Sequence, residues 1–297
     1  LSQYSELFTQ MGLETVPSEH WQFHPLDRYY EEVAAAMPRA DLTNLYMISG
    51  SNLPLHQNLD ALAISRNVNS KLHFAQHAPT SGIPVPRTEI YTKGAIRAGA
   101  ADDLFTAFPD GLMVKLLGLA GSRNVFAVGS VVDCIEQIAE YDDGVEILLQ
   151  EKLDTSQWQE MTVDLTITPD DITISNVRQI LFAGGKWVGN YLSPELTVPD
   201  AHREVLIQVG AYARQQGHVA AEGINCGIDY FISGDDVIVT EINARWTGGL
   251  FPAEFLRRLQ IDSPAIAFFD MVPCADSEAM QAFQREHLFP ARGGAFS

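Results

Sequence analysis

Two neighbouring segments that read as β-strands, each with a carboxylate inside it, limit the folds open to this chain more than any other feature. Residues 228–232 and 237–242 are rich in β-branched and aromatic side chains, which favour strands. The Ser-Gly-Asp-Asp segment at 233–236 has the residue types of a tight turn. The pattern therefore predicts an antiparallel hairpin.

The register of this hairpin decides whether its acidic residues meet. Because side chains alternate along a strand, Glu241, Asn243 and Arg245 share one face. A three-residue loop at 234–236 would place Asp229 opposite Glu241 on that same face. A four-residue loop would instead place the two carboxylates on opposite faces, so the sequence leaves both arrangements open.

Facing carboxylates repel each other and destabilise a hairpin unless a cation lies between them. Carboxylate and amide oxygens are the ligands that Mg²⁺ prefers, and an arginine two residues after Asn243 adds a positive fork suited to phosphate or carboxylate. The alternative is a surface hairpin with solvated acids, which is common in acidic chains. Four polar groups on one face of an otherwise apolar strand pair favour a binding site over that alternative.

These segments resemble a known family. Gly-Ile-Asp-Tyr-Phe, then Val-Thr-Glu-Ile-Asn-Ala-Arg and a Gly-Gly pair, are similar to the magnesium-binding end of the ATP-grasp superfamily. The resemblance implies that Asp229, Glu241 and Asn243 hold Mg²⁺ (or Mn²⁺) ions that bridge the phosphates of ATP. It extends from about Lys71 to Leu259 and implies an α+β, ATP-grasp fold, in which two α+β lobes clasp ATP between antiparallel sheets.

The same resemblance implies how the chain is divided. Residues 1–68 correspond to a shortened remnant of the α/β domain that precedes the ATP-grasp core. Residues 69–150 would form the N-terminal lobe with a glycine lid, and residues 151–290 the C-terminal lobe with the metal site. Residues 291–297 have the composition of a flexible tail.

Composition argues against several partners. The 297 residues carry a formal net charge of −19, which disfavours nucleic acid and anionic membrane surfaces. The chain has no apolar run of about 18 residues, and its first residues lack the basic and apolar segments of a signal peptide. Cys134, Cys226 and Cys274 are scattered without metal-ligand spacing, which suits packing roles in a reducing cytoplasm. We therefore expect a cytoplasmic globular protein that gathers its few basic residues at any ATP site.

A lysine lies in the middle of an apolar strand predicted at 112–117. Lys115 is costly to bury unless it reaches water, as on an edge strand, or meets an anion. The glycine-bearing segment 118–124 follows and can turn backbone N–H groups toward phosphates. Because it leads into another strand rather than a helix, it does not fit a Walker-type loop. The resemblance implies that it is a mobile lid, with Gly121 and Ser122 at the nucleotide.

Further nucleotide-binding residues follow from the resemblance alone. It implies that Lys71 reaches an ATP phosphate and that Glu151, Lys152 and Leu153 form an inter-lobe hinge at the adenine. It also implies that Glu160 holds the ribose hydroxyls. Without the resemblance, Lys71 would be interpreted as a solvated helix residue and the two glutamates as surface acids.

Three basic residues are candidates for the reaction itself. Lys115, together with Lys71, would neutralise phosphates, and Arg245 would stabilise an acyl phosphate. Arg178 lies on a hairpin predicted between residues 172 and 192 and would add positive charge to the cleft. Strand alternation does not decide which face of that hairpin Arg178 takes.

The function implied by the resemblance is that of an ADP-forming ligase, which joins a carboxylate to an amine (an amino acid or a peptide) through an acyl phosphate. Gly227 departs from members that have an arginine two residues before the first metal aspartate, which argues against a D-alanine–D-alanine type of ligase. A phosphotransferase on the same scaffold and a non-catalytic nucleotide-binding regulatory module are the alternatives. The partners would be small-molecule carboxylates and amines, and a homodimer is left open.

Periodicity and turn residues predict the other elements. Helices are predicted at 25–37, 53–64, 70–78, 133–141, 202–216 and 252–259. Further strands are predicted at 42–49, 125–128, 145–150, 161–167, 172–182 and 186–192.

Overall fold

The computed structural model describes residues 9, 28–36, 60–116, 125–184, 186–268 and 275–283. Three predictions lie outside these residues: the strand at 42–49, the glycine lid with Gly121 and Ser122, and the tail at 291–297. The helix predicted at 53–64 is described only from residue 60 onward.

The described helices are α1 (Tyr29–Ala36), α2 (Ala61–Val68), α3 (Lys71–His77), α4 (Lys93–Arg97), α5 (Asp102–Ala107), α6 (Val131–Gln137), α7 (Asp200–Gln215), α8 (Leu250–Arg258) and α9 (Ser277–Phe283). The described strands are β1 (Thr88–Thr92), β2 (Leu112–Leu116), β3 (Val125–Val128), β4 (Glu146–Glu151), β5 (Gln159–Ile167), β6 (Ile172–Ala183), β7 (Lys186–Leu192), β8 (Ile224–Ser233), β9 (Asp236–Asn243) and β10 (Ala265–Phe268). The strands form two antiparallel sheets, which confirms the predicted α+β class. None of the described helices is long and apolar enough to cross a bilayer.

The smaller sheet has four strands in the order β1-β4-β2-β3. Leu112 and Leu149 point into a core that they share with residues of α4, α5 and α6. Because side chains alternate along β2, Met113 and Lys115 point the other way, toward the larger sheet. The predicted strand with a central lysine is therefore present, and its lysine faces the other half of the molecule.

The larger sheet has six strands in the order β10-β7-β6-β5-β8-β9. One of its faces packs against α7, where Leu206, Val209 and Ala213 are fully buried at helical spacing. Leu165 and Ile228 of the sheet lie in the same core. The opposite face is left for the smaller sheet and for the residues between the two.

Helix α3 packs against the larger sheet although it precedes the smaller one in the chain. The Ser70 hydroxyl caps this helix by accepting from the N–H of His73. Phe74 lies in the core of the larger sheet and contacts Tyr212 edge to face, with ring centroids 5.8 Å apart. This packing holds Lys71 close to β9.

The lobe boundaries at residues 69 and 151 stay predictions.

The β8–β9 hairpin has one of the two registers considered above, but its turn has a different length. Asp229 pairs with Glu241, so the two acids share a face. Neither of the two loop lengths considered above is present, because Ser233 pairs with Asp236 and leaves two residues in the turn. Such a turn alone would set Asp229 opposite Thr240. A β-bulge that adds Thr240 to the second strand restores the pairing of the acids.

Several helix ends differ from the predictions. Helix α6 begins at Val131, two residues before the predicted start, because the Ser130 hydroxyl accepts from the N–H of Asp133 and caps the helix there. Helix α2 continues to Val68, beyond the predicted end at residue 64. The short elements α4, α5, α9 and β10 were not predicted.

Candidate active site

One row of residues crosses four strands of the larger sheet. Arg178 of β6 pairs with Thr162 of β5, which pairs with Asp229 of β8. Asp229 pairs in turn with Glu241 of β9. Residues directly opposite each other in neighbouring strands point to the same face. The row therefore places a basic residue, a hydroxyl and two carboxylates on the face turned away from α7.

A cavity of about 850 Å³ lies between this row and the smaller sheet. Met113 and Lys115 line it from the smaller sheet, and Thr162, Asp229 and Glu241 line it from the larger one. The volume lies in the upper part of the range for small-molecule sites, about 300–1,000 Å³. This cleft is the candidate active site.

Two lysines and an amide surround the paired acids. Lys71 Nζ forms an ion pair with Glu241 Oε2. Asn243 Nδ2 donates to Asp229 Oδ2 at 2.9 Å, and Lys115 Nζ donates to a backbone carbonyl oxygen of β9 at 3.4 Å. The structure thus brings together the three residues predicted to bind metal and both lysines predicted to contact phosphate. Their roles stay predictions.

Burial and mutual proximity shift the pKa values of these groups. Burial raises the pKa of Asp229 to about 6, and the charge of Glu241 adds to this effect. Burial and then Asp229 raise the pKa of Glu160 to about 7, while burial lowers the pKa of Lys115 to about 8. Burial alone would raise the pKa of Glu241, but Lys71 and Lys115 bring it below its ordinary value. A cluster of such groups in a cleft is typical of a functional site.

The donor atoms at this end of the cleft fit a divalent cation. Asp229 and Glu241 face each other in a sheltered place, and their repulsion contributes to the raised pKa of Asp229. A divalent cation would remove that repulsion, and the Asn243 amide oxygen is a third ligand of the kind that Mg²⁺ prefers. In the part of the chain that the structure describes, no group of three or more His, Cys, Asp and Glu side chains could hold a metal ion. The third protein ligand of this set is therefore an amide rather than an ionisable side chain.

The predicted hinge residues line the same cavity. Strand β4 ends at Glu151, and the connection to β5 carries Lys152 and Leu153, so the chain passes here from the smaller sheet to the larger one. Glu160 follows at the start of β5 and lies close enough to Asp229 for the charge of Asp229 to add to the raised pKa of Glu160. The predicted contacts of these residues with adenine and ribose stay predictions.

A buried polar network supports Arg178. Arg178 Nη1 donates to Asp164 Oδ2 at 2.6 Å, and both side chains are fully enclosed. Thr247 Oγ1 donates to Asp164 Oδ1 at 2.9 Å and accepts from Arg178 Nη2 at 3.3 Å. Asn225 Nδ2 donates to Asp164 Oδ1 at 3.3 Å and to the carbonyl oxygen of Arg245 at 2.9 Å. The network therefore ties the segment after β9, which carries Arg245, to the larger sheet.

Both arginines that were predicted to take part in the reaction line the cleft. Arg245 Nη1 donates to Asn69 Oδ1 at 3.2 Å. The Nε atoms of Arg178 and Arg245 are buried and have no hydrogen-bond partner among the described residues. An unpaired buried donor costs free energy, so both groups gain from a ligand acceptor that comes within reach. Whether they touch reacting atoms stays a prediction.

Two glycines allow the segment after β9 to lie close to the sheet. A Cβ atom on Gly227 would lie 2.1 Å from Thr247 Cγ2, and a Cβ atom on Gly249 would lie 2.6 Å from Arg178 Nε. Both distances are shorter than real contacts, so a side chain at either position would displace its neighbour. Gly249 also precedes α8, which places the N-terminus of that helix at the cleft.

Several polar residues at the site were not predicted, and four of them matter most to its geometry: Thr162, Asp164, Asn190 and Thr247. Asp164 could have been found, because a carboxylate in the middle of an apolar strand raises the same question as Lys115 does in β2. The other three are uncharged, and no signal in the sequence separates them from ordinary strand or loop residues.

Comparison with solved structures identifies the fold. No protein-family model matches the sequence, and a search of curated proteins found no match. Carboxyaminoimidazole ribonucleotide synthase from Aspergillus clavatus, complexed with ATP, has a TM-score of 0.55 at 17% identity over 75% of this chain and 62% of that chain. Phosphoribosylamine–glycine ligase from Thermotoga maritima has a TM-score of 0.54 at 18% identity over 74% of this chain and 59% of that chain. Both similar structures are ATP-grasp proteins.

The chain has the ATP-grasp fold. This finding confirms the fold predicted from the segments around Asp229 and Glu241. At 17% and 18% identity the likeness concerns the fold alone. The chain spans about three fifths of the length of these two structures, namely 62% and 59%.

Proposed function

We propose that this chain is an ATP-dependent, ADP-forming ligase that joins a carboxylate to an amine through an acyl phosphate. The observation that carries the proposal is the pairing of Asp229 with Glu241, next to Lys71 and Lys115, in a cleft between two antiparallel sheets. The names of the two similar proteins, a ribonucleotide synthase complexed with ATP and a phosphoribosylamine–glycine ligase, are consistent with such chemistry.

In this proposal Asp229, Glu241 and Asn243 would hold Mg²⁺ (or Mn²⁺), which would supply charge stabilisation to the phosphates of ATP. Lys71 pairs with Glu241 in the protein alone. In this proposal it also donates to a phosphate oxygen. Lys115 lies in the same cluster on the opposite sheet, so the two lysines act on the phosphates from two sides.

The remaining residues bind the nucleotide and the substrate. Glu151, Lys152 and Leu153 contact the adenine, Glu160 holds the ribose, and the lid segment with Gly121 and Ser122 covers the phosphates. Arg178 and Arg245 bind the reacting carboxylate. Excluding water from this end of the cleft protects the acyl phosphate from hydrolysis until the amine attacks.

Turnover assays test the proposal. The protein is incubated with Mg-ATP and mixtures of carboxylic acids and amino acids, ADP is measured, and products are identified by mass. Release of ADP that depends on both an acid and an amine, together with a new amide, supports the ligase. A phosphorylated product without an amide would indicate a phosphotransferase, and tight ATP binding without turnover would indicate a regulatory module.

A pair of variants tests the role of the acids. Glu241→Gln removes one of the two facing carboxylates, and we expect kcat/KM to fall about a hundredfold or more. Glu222→Gln makes the same change at an exposed position near the start of β8 and should leave the rate unchanged. Equal activity of the two variants would contradict the assignment of Glu241.

A further inference from the structure

Strands β6 and β7 present a wall to the cleft that the nucleotide-binding residues do not use. Its residues are Arg178, Ile180 and Phe182 of β6 with Trp187 and Asn190 of β7, and all five line the cavity, as does Gln179 of β6. Ile180 pairs with Asn190, and Phe182 pairs with Trp187, so the side chains stand on one face. We call this surface the β6–β7 wall.

The β6–β7 wall lies beside the proposed phosphate site. In the larger sheet β6 and β7 are on one side of β5, whereas β8 and β9, which carry Asp229 and Glu241, are on the other. Arg178 is the point of contact between the two regions, because it belongs to the row that includes Asp229. A substrate with its carboxylate at the metal end therefore extends along the wall.

The wall changes from polar to apolar along β6. At the polar end the charge of Arg178 is already paired with Asp164, and Asn190 is neutral. At the apolar end Phe182 is 45% exposed, although it lies inside a cleft, and Ile180 and Trp187 are half-buried. Exposed aromatic surface in a concave site gains free energy when an apolar group covers it. A charged group there would lose water without meeting an opposite charge.

The segment after β9 closes the wall from the side. A Cβ atom on Gly248 would lie 3.4 Å from Trp187, and one on Gly249 would lie 2.8 Å from Asn190 Nδ2. The two glycines thus bring backbone, rather than side chains, against the wall. This leaves a slot whose shape is set by the aromatic side chains.

We propose that the β6–β7 wall binds the apolar side chain of the carboxylate substrate, so that this chain activates acids with a branched aliphatic or aromatic group near the carboxyl. The inference rests on the proposed function and names its substrate class. An acid with a polar group of the same size would be disfavoured.

Trapping with hydroxylamine tests the choice of acid without knowledge of the amine. Hydroxylamine attacks the carbonyl carbon of an acyl phosphate, which gives a hydroxamate and releases phosphate. The acids are supplied in matched pairs of equal size, namely leucine with asparagine and 4-methylpentanoate with succinamate. We expect the apolar member of at least one pair to give a kcat/KM for hydroxamate about tenfold or more above its polar counterpart.

Two phenylalanine variants test the surface itself. Phe182→Ala removes an exposed side chain of the wall, and we expect the KM for the apolar acid to rise about tenfold while the KM for ATP stays unchanged. Phe251→Ala is the matched control, because Phe251 is 51% exposed, contacts Trp246 and does not line the cavity. The control should behave as the unmodified protein. An equal effect of both variants, or of neither, would overturn the inference.

Failure of the inference is distinguishable from failure of the ligase proposal. If polar acids give hydroxamate as well as apolar ones do, the chain is a ligase but the β6–β7 wall does not select its acid. If no acid gives hydroxamate or ADP, the ligase proposal fails. Calorimetric titration of leucine and of asparagine in the presence of Mg-ADP then decides whether the β6–β7 wall prefers apolar side chains. The inference is supported if leucine binds about tenfold more tightly than asparagine and if this difference is lost in Phe182→Ala. Equal affinities for the two amino acids overturn the inference.

Discussion

Asp164 and Arg178 form an ion pair that the protein encloses completely, with 2.6 Å between Asp164 Oδ2 and Arg178 Nη1. The pair lies between the row of acids and the segment that carries Thr247. Buried pairs of this kind contribute little net stability compared with apolar packing, but they are very sensitive to the loss of one partner. The stability of the larger sheet and the position of Arg178 are therefore linked.

The variant Asp164→Ala should reduce the free energy of unfolding by about 3–5 kcal/mol, because it leaves the Arg178 charge buried and unpaired. The double variant Asp164→Leu with Arg178→Met should recover most of that loss but should be inactive, because it lacks the Arg178 guanidinium. Urea unfolding measures the stability of both variants, and ADP release measures their activity. The control is Glu254→Ala, which breaks exposed pairs with Arg257 and Arg258 and should cost much less than Asp164→Ala does. Equal losses in Asp164→Ala and Glu254→Ala would contradict the enclosed pair.

Two adjacent glycines offer a matched comparison. Gly249→Ala places a methyl group 2.6 Å from Arg178 Nε and should displace that side chain, lowering kcat/KM about tenfold or more. Gly248→Ala places a methyl group 3.4 Å from Trp187, an ordinary contact, and should change the rate little. Steady-state kinetics on both variants check this. A larger effect at residue 248 than at residue 249 would be inconsistent with the geometry.

Cation binding should depend on pH through Asp229. Its pKa is raised to about 6 by burial and by Glu241, so the carboxyl is protonated below that pH and the cation must displace the proton. The apparent affinity for Mn²⁺, followed by electron paramagnetic resonance, should fall up to about tenfold per pH unit below pH 6 and level off above it. Asp229→Asn should bind more weakly and lose this dependence. An affinity that is constant between pH 5 and about 7 would refute Asp229 as a ligand.

The two described cysteines should be unreactive in the folded protein. Burial raises the pKa of Cys226 to about 12, with a further contribution from Asp164, and raises the pKa of Cys134 to about 11. At pH 8 the reactive thiolate is therefore a very small fraction of each side chain. In a Cys274→Ser background, labelling by a thiol reagent should be at least about a hundredfold slower in the folded protein than in urea. Rapid labelling of either cysteine without unfolding would contradict its burial.

The sequence was sufficient for the elements that carry strong local patterns. The alternation in β2, β8 and β9 predicted strands in the right places, and the helical spacing of α7 predicted its buried face. The pairing of Asp229 with Glu241 was one of two registers that the sequence allowed. The bulge at Thr240 that produces this register was not predictable, because it compensates for a two-residue turn through contacts elsewhere in the sheet.

Other features of the site arise only from tertiary packing. The sequence places Lys71 on a helix, but its ion pair with Glu241 depends on the docking of α3 against a strand about 170 residues later in the chain. The network around Asp164 likewise joins side chains from β5, β6, the start of β8 and the segment after β9. Periodicity within one segment carries no information about contacts between distant segments, which explains why Thr162, Asn190 and Thr247 were not predicted.

The missing side chain at residue 227 makes that position and residue 247 interdependent. Gly227 lies directly across from Asp164, and the methyl group of Thr247 fills the volume that a larger residue at 227 would need. An arginine introduced at 227 would compete with Thr247 for the same space and for the same carboxylate. A single substitution at residue 227 would leave two donors, the new arginine and Thr247, competing for the Asp164 carboxylate. An arginine at this position therefore requires changes both in β8 and in the segment that carries Thr247.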